Sequence, residues 1–240
     1  MAGFFYNLGR KVGPNLRKAN WVLRSLTGSE EDIIRAEQAV GRDLAQAYLQ
    51  QVELDDRPEV RALLDGIGQQ LAGCLKEKQY QFWFAPVRSS EINAYAMPGG
   101  YIFVMRMLLE QCQWNRDEIA FLLGHEMAHV VKRHAMDRLM ASSLIRGGLR
   151  RLPVGGALGT PIIRMATAML DQGYSQDTEL DADRLGFKLA QAAGFDAAAA
   201  VRLLNRLRTI PTEAWLLSSY LSSHPPVEAR VQQIERLLKT

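Results

Sequence analysis

Apolar residues recur three and four positions apart through most of the chain, while a short central stretch alternates, so the pattern predicts helices around a small sheet. Glu30 to Leu54 and Pro58 to Lys78 carry the helical period, with Ser29 placed to cap the first and Pro58 to open the second. Gln81 to Val87 and Glu91 to Ala96 read as strands, and Gly99-Gly100 turns the chain into a third, Tyr101 to Met105. Met107 to Gln113 is expected to be a short helix. Trp114, Asn115, Glu118 and Ile119 then stand in the order of a capping box with a hydrophobic staple, which starts a helix at Arg116. Ile119, Leu122, Leu123, Met127, Val130 and Val131 would bury most of that helix's circumference. Thr178 to Gly194 is another helical pattern with a terminal glycine; Asp196 can cap a helix through Arg208, and Pro226 can open a last one through Leu238. The expected fold class is α+β, mostly α, with a small antiparallel edge sheet over a helical core.

Length and composition fit that picture. With 240 residues and 48% hydrophobic content, the chain can build one domain, expected over 29–240. Cys74 and Cys112 make no disulfide framework, and a net charge of +3 gives no reason to expect a nucleic-acid partner. The charge is uneven, however. Residues 1–28 hold no acid, and Arg10, Lys11, Arg17, Lys18 and Arg24 alternate with aromatic and aliphatic residues. Such an arm either packs on the protein or a partner, or lies on anionic lipid. Residues 142–170 are also apolar and acid-poor, with Arg146, Arg150, Arg151 and Arg164, and read either as a flap beside a cleft or as a hydrophobic hairpin in the core. Apolar stretches in the arm are too broken for a secretory signal, and no run reaches the length of a membrane span, so the expected location is cytoplasmic, with peripheral membrane contact open to 1–28 and 142–170.

The chemistry concentrates in His125, Glu126 and His129, an H-E-x-x-H motif on the Arg116 helix. Positions i and i+4 share a face, so both imidazoles can grip one zinc ion. Glu126 lies about 100° around the helix, able to reach a water on that ion without ligating it. A catalytic zinc takes three protein ligands and leaves a position for water. The best third ligand is Glu179, with Asp183 one turn on to hydrogen-bond the outer nitrogen of a ligating histidine. His224 is the alternative. Gly186 follows on the same face, where a glycine suggests close contact with another helix. His134, nine residues after His125, would lie about 180° away on a continuous helix and reads as a structural or surface histidine. Glu126 also separates an enzyme from the other reading, a noncatalytic zinc-stabilised module binding a membrane or partner, because a purely structural site has no use for it.

GHEMAHVVKRH at Gly124 to His134, ELDAD at Glu179 to Asp183, NAYAMPGGYIFV at Asn93 to Val104 and SHPPVEAR at Ser223 to Arg230 are four recognisable segments. Together they resemble the zinc metallopeptidase family of the CaaX prenyl endopeptidases, HtpX and BepA, gluzincins with H-E-x-x-H and E-x-x-x-D motifs, over roughly Glu91 to Leu238. The resemblance implies zinc on His125, His129 and Glu179, Glu126 as general base, and Asp183 in support. It also implies that Asn93 lies on an edge strand along the cleft, and that His224 and Arg230 approach the zinc side. All four segments are intact. Transmembrane helices and a tetratricopeptide array, found in some of these proteins, are not seen. The implied activity is a zinc endopeptidase acting on peptide or unfolded protein substrates, with protein quality control as its expected setting. Glu126 would take the proton of the attacking water and pass it to the leaving amine. His224, Arg230 or Tyr220 would supply a second electrophile for the oxyanion. Substrate would lie antiparallel to Asn93 to Met97.

Overall fold

The computed structural model describes residues 29–76, 79–141, 170, 173–210, 224 and 227–239. The arm at 1–28, nearly all of 142–170, and Tyr220 lie outside them.

Helix α1, Glu30–Leu49, starts where Ser29 accepts from the Asp32 amide. It stops five residues short of the expected Leu54, because Leu54 bridges to Val87 and the Asp55 amide donates to the Pro86 carbonyl, drawing the chain onto the sheet. Helix α2, Pro58–Gly73, opens on its proline and ends before the expected Lys78. Three strands follow: β1, Trp83–Val87; β2, Ala94–Met97; and β3, Tyr101–Met105. Between the last two, Gly99 and Gly100 adopt φ of 78° and 96°, left-handed values that glycine tolerates, and this tight turn makes β2 and β3 antiparallel.

The sheet is mixed and not purely antiparallel. Its order is β1-β3-β2, and β1 runs parallel to β3. Alternation reveals which face a side chain takes but not the direction of its neighbour, so the hairpin was legible and the parallel pairing was not. Helices cover both faces of the sheet. Phe84, Ala94, Ala96, Ile102 and Val104 join the core of α2 and of α4, Arg116–Val131. Ala85, Val87, Met97 and Phe103 point the other way, onto α1 and the short α5, His134–Ala141. Between β3 and α4 runs α3, Arg106–Gln111. Beyond α4 pack α6, Gln176–Ala192; α7, Ala199–Thr209; and α8, Val227–Leu237. Glu118 does not close the capping box. Asn115 accepts from the Asp117 and Glu118 amides, but the Glu118 carboxylate is drawn to Arg206 of α7, where a buried acid gains a cation.

Candidate metal centre

The site is assembled where α4 crosses α6, and two glycines set the distance. A Cβ on Gly186 would lie 2.7 Å from the His125 nitrogen, and one on Gly124 would lie 3.0 Å from the Gly186 carbonyl oxygen. Backbone therefore touches backbone, as the glycine on the Glu179 face suggested. This contact brings Glu179 of α6 against both motif histidines of α4.

The donor atoms are spaced for one ion. His125 Nε2 and His129 Nε2 are 3.1 Å apart, Glu179 Oε1 is 3.2 Å from His129 Nε2, and Glu179 Oε2 is 3.6 Å from His125 Nε2. Bonds of zinc to nitrogen and oxygen near 2.0–2.1 Å in a tetrahedron put donors about 3.3–3.4 Å apart, so this buried set fits. With one atom of His224, all four donors lie within 4.8 Å of one another. His224 Nδ1 sits 2.9 Å from Glu179 Oε1, and its Nε2 lies 3.9 Å from Glu126 Oε1. The Glu126 carboxylate is buried, yet neither oxygen has a hydrogen-bond partner among the described residues.

The surroundings hold these groups by charge on one side. Asp183 Oδ1 is 2.8 Å from His125 Nδ1, and Arg230 of α8 donates to both Asp183 oxygens at 2.7 and 2.8 Å. Arg230 Nη1 is also 3.0 Å from Glu179 Oε2. Burial raises the pKa of Glu179, but the charges of His224, Arg230 and His125 outweigh it and hold the carboxyl well below its ordinary range. Asp183 is lowered in the same way, burial being overcome chiefly by Arg230. Burial and Arg230 push the His125 pKa down, yet Glu179 and Asp183 raise it overall, while burial dominates at His129 and takes it well below the usual imidazole value.

Arg230 is placed differently from the expected electrophile. Its Nη2 lies 3.4 Å from His125 Nδ1, the outer nitrogen, so it braces the carboxylates from behind. Asn93 immediately precedes β2, its Oδ1 accepting from the Ala94 amide and its Nδ2 donating to the Tyr95 hydroxyl 2.9 Å away. His134 departs most from expectation. The helix ends at Val131, Arg133 takes a φ of 64°, and the new start of α5 turns His134 back until its Nδ1 is 3.1 Å from His129 Nδ1. All four histidines of the chain thus meet here. Sequence reasoning passed over Tyr174, whose ring stacks on His129 at 3.8 Å and 8°, with the Arg138 guanidinium 4.5 Å from the centre of the tyrosine ring. Its one signal was its position just before Ser175, the cap of α6 and thus of the helix carrying Glu179.

Two imidazoles and a carboxylate on crossed helices, beside a buried carboxylate that makes no hydrogen bond among the described residues, define the class: this is the site of a zinc metallopeptidase. The chain belongs to Peptidase family M48, whose model matches residues 58–238. It is 28% identical over 156 residues to the mitochondrial metalloendopeptidase OMA1 of Schizosaccharomyces pombe, covering 63% of this chain and 45% of that protein. To the beta-barrel assembly-enhancing protease of Escherichia coli K12 it is 28% identical over 189 residues, or 72% of this chain and 38% of that protein. To metalloprotease YcaL of the same organism it is 27% identical over 192 residues, or 76% and 74%. The chain spans under half the length of the first two relatives. Among the described residues, no helix is long and apolar enough to cross a membrane.

Proposed function

We propose that this chain is a zinc-dependent endopeptidase that hydrolyses peptide bonds in protein substrates, with His125, His129 and Glu179 holding the metal. The observation that carries the reading is Glu126, a buried carboxylate without a hydrogen-bond partner one residue from the first ligand. Such a group costs free energy in the fold, and the task that would account for keeping it is proton transfer. When bound, zinc supplies Lewis acidity and brings the pKa of a water towards about 7. Glu126 would accept a proton from the attacking water at a carboxylate oxygen and return it to the leaving amine. Asp183 fixes His125 through Nδ1, and Arg230 holds Asp183 and Glu179 in place.

Glu126→Gln tests this directly. The variant keeps stoichiometric zinc by metal analysis and loses casein hydrolysis by the 10²- to 10⁴-fold typical of removing a general base. Hydrolysis at the wild-type rate overturns the proposal.

His224, between Glu179 and Glu126, is suited to donate to the carbonyl oxygen of the substrate. His224→Ala then lowers kcat and kcat/KM together by roughly 10²- to 10³-fold. A rise in activity would mean that His224 serves as a further, inhibitory ligand. Substrate is proposed to add to the outer edge of β2, which ends the sheet and follows Asn93; main-chain pairing of this kind tolerates varied sequences, as a quality-control protease needs. Residues 1–28 and 142–170, rich in cations and poor in acids, are proposed to give peripheral contact with anionic lipid. Flotation with phosphatidylserine vesicles that is unaffected by deleting residues 1–28 would exclude the first of these segments.

A further inference from the structure

The outer nitrogens of the two motif histidines are satisfied by different chemistry. His125 Nδ1 meets the Asp183 carboxylate, whereas His129 Nδ1 meets another imidazole, His134 Nδ1, at 3.1 Å. A ligating imidazole keeps its tautomer and its aim through the partner of its second nitrogen. We infer that His134 is the positioning residue of His129, accepting the Nδ1 proton and so keeping Nε2 directed at the metal position. The inference rests on the reading of His129 as a ligand.

The protons balance with both imidazoles neutral. With Nε2 of His129 free to ligate, its proton sits on Nδ1 and is donated to His134 Nδ1. The proton of His134 is then on Nε2, which faces the Asp181 carboxylate 3.8 Å away. Asp181 is itself 3.2 Å from Lys132 Nζ, so the carboxylate facing His134 is already paired.

The chain is bent to make this contact. A continuous helix would carry His134 to the far side of α4, about 180° from His125. The break at Arg133 prevents that, and a non-glycine residue at a φ of 64° persists only where its surroundings hold it. One support comes from α1: Glu37, buried, accepts from Arg133 Nε at 2.5 Å. Residues 30–49 precede the span matched by the family model, so a helix outside that span props the backbone that presents His134. The Tyr174 ring, parallel to His129, closes the other direction of tilt.

Zinc affinity of the full chain, measured by competition with a chromophoric chelator, tests the assignment, with the visible spectrum of the cobalt-substituted protein as an independent readout. His134→Leu is expected to weaken zinc binding by the 10- to 100-fold typical of losing such a partner, and to shift the cobalt bands. His134→Asn places an amide oxygen near the site of Nδ1 and should recover most of both. Zinc affinity within about twofold of wild type and an unchanged cobalt spectrum in His134→Leu would overturn the inference. So would a His134→Asn no better than His134→Leu. His129→Ala separates the two levels of the argument. Loss of zinc there beside an innocent His134→Leu sinks only the positioning role, while retained zinc sinks the ligand reading and the inference with it. If His134→Leu folds poorly, Glu37→Gln loosens the same support from a distance and is expected to shift the cobalt bands in the same direction; a wild-type spectrum there overturns the part given to α1.

Discussion

His125 and His129 are the same residue one turn apart on one helix, yet the regions behind them are opposite in kind. Behind His125 stands a buried ionic cluster, Asp183 and Arg230, continued to Glu179. Behind His129 stand neutral rings, Tyr174 and His134, with the cation of Arg138 beyond the tyrosine. An ionic brace fixes geometry through short, directional bonds, but each member becomes a buried unpaired charge if its partner is lost. Rings hold by shape and area, and truncating one chiefly removes contact, although the Tyr174 ring also seats the buried Arg138 guanidinium. The two flanks should therefore differ in how sharply they fail.

The largest expected effect is on the ionic side. Arg230→Met fills similar volume but leaves Asp183 and Glu179 buried without the guanidinium that touches both. Urea unfolding of the metal-free protein should show a loss of about 3–5 kcal/mol. A loss under about 1 kcal/mol would erase the contrast between the flanks. Next comes the seam that aligns the ionic side. In Gly186→Ala the new methyl meets the backbone of His125 and Gly124, which cannot rotate away, so α4 and α6 must separate. The cost is about 1–3 kcal/mol, and zinc affinity should fall as well, because His125 and Glu179 sit on opposite sides of that contact. Wild-type stability and zinc affinity together would show that the helices are less tightly apposed than the glycines imply.

What could be read in advance follows the same divide. Spacing within one helix was legible: the i, i+4 pair of His125 and His129, the pair of Glu179 and Asp183, the cap at Asn115 and the close approach at Gly186 all depend on a 3.6-residue period and little else. Features set by distant residues were not. The direction of β1 depends on strand pairing, and Glu118 left its expected cap for Arg206, 88 residues on. The left-handed turn at Arg133 carries no glycine to announce it; Glu37, 96 residues away, pairs with its side chain. A continuous helix puts His134 on the side away from His125, and only the break at Arg133 brings it back to His129; Tyr174 is remote from the motif in sequence.

On the aromatic side the effects should be smaller. Tyr174→Leu keeps a buried apolar group but loses the stack on His129 and the seat of the Arg138 guanidinium. A ring pair and a cation over a ring together suggest about 1–2 kcal/mol in urea unfolding. A loss as large as that of Arg230→Met would place Tyr174 in the same class as the ionic brace and end the comparison.

The smallest effect isolates the ring from its hydroxyl. Tyr174 is buried, and burial pushes its phenol pKa up to about 12, so the group is neutral at any pH the protein meets. Its hydroxyl makes no well-formed hydrogen bond among the described residues, although the nearby Arg138 guanidinium acts on it against burial. A buried hydroxyl left poorly satisfied costs about 1–3 kcal/mol of desolvation, so deleting it removes a penalty and at most a weak contact with Arg138. Tyr174→Phe, which retains the stack on His129, should therefore leave stability unchanged or raise it by up to about 1 kcal/mol, with zinc affinity unaltered. The sign of the change is the decisive quantity. A clear destabilisation in Tyr174→Phe, with Tyr174→Leu no worse, would mean that the hydroxyl and not the ring supports His129, and the aromatic flank would then be a polar one in disguise.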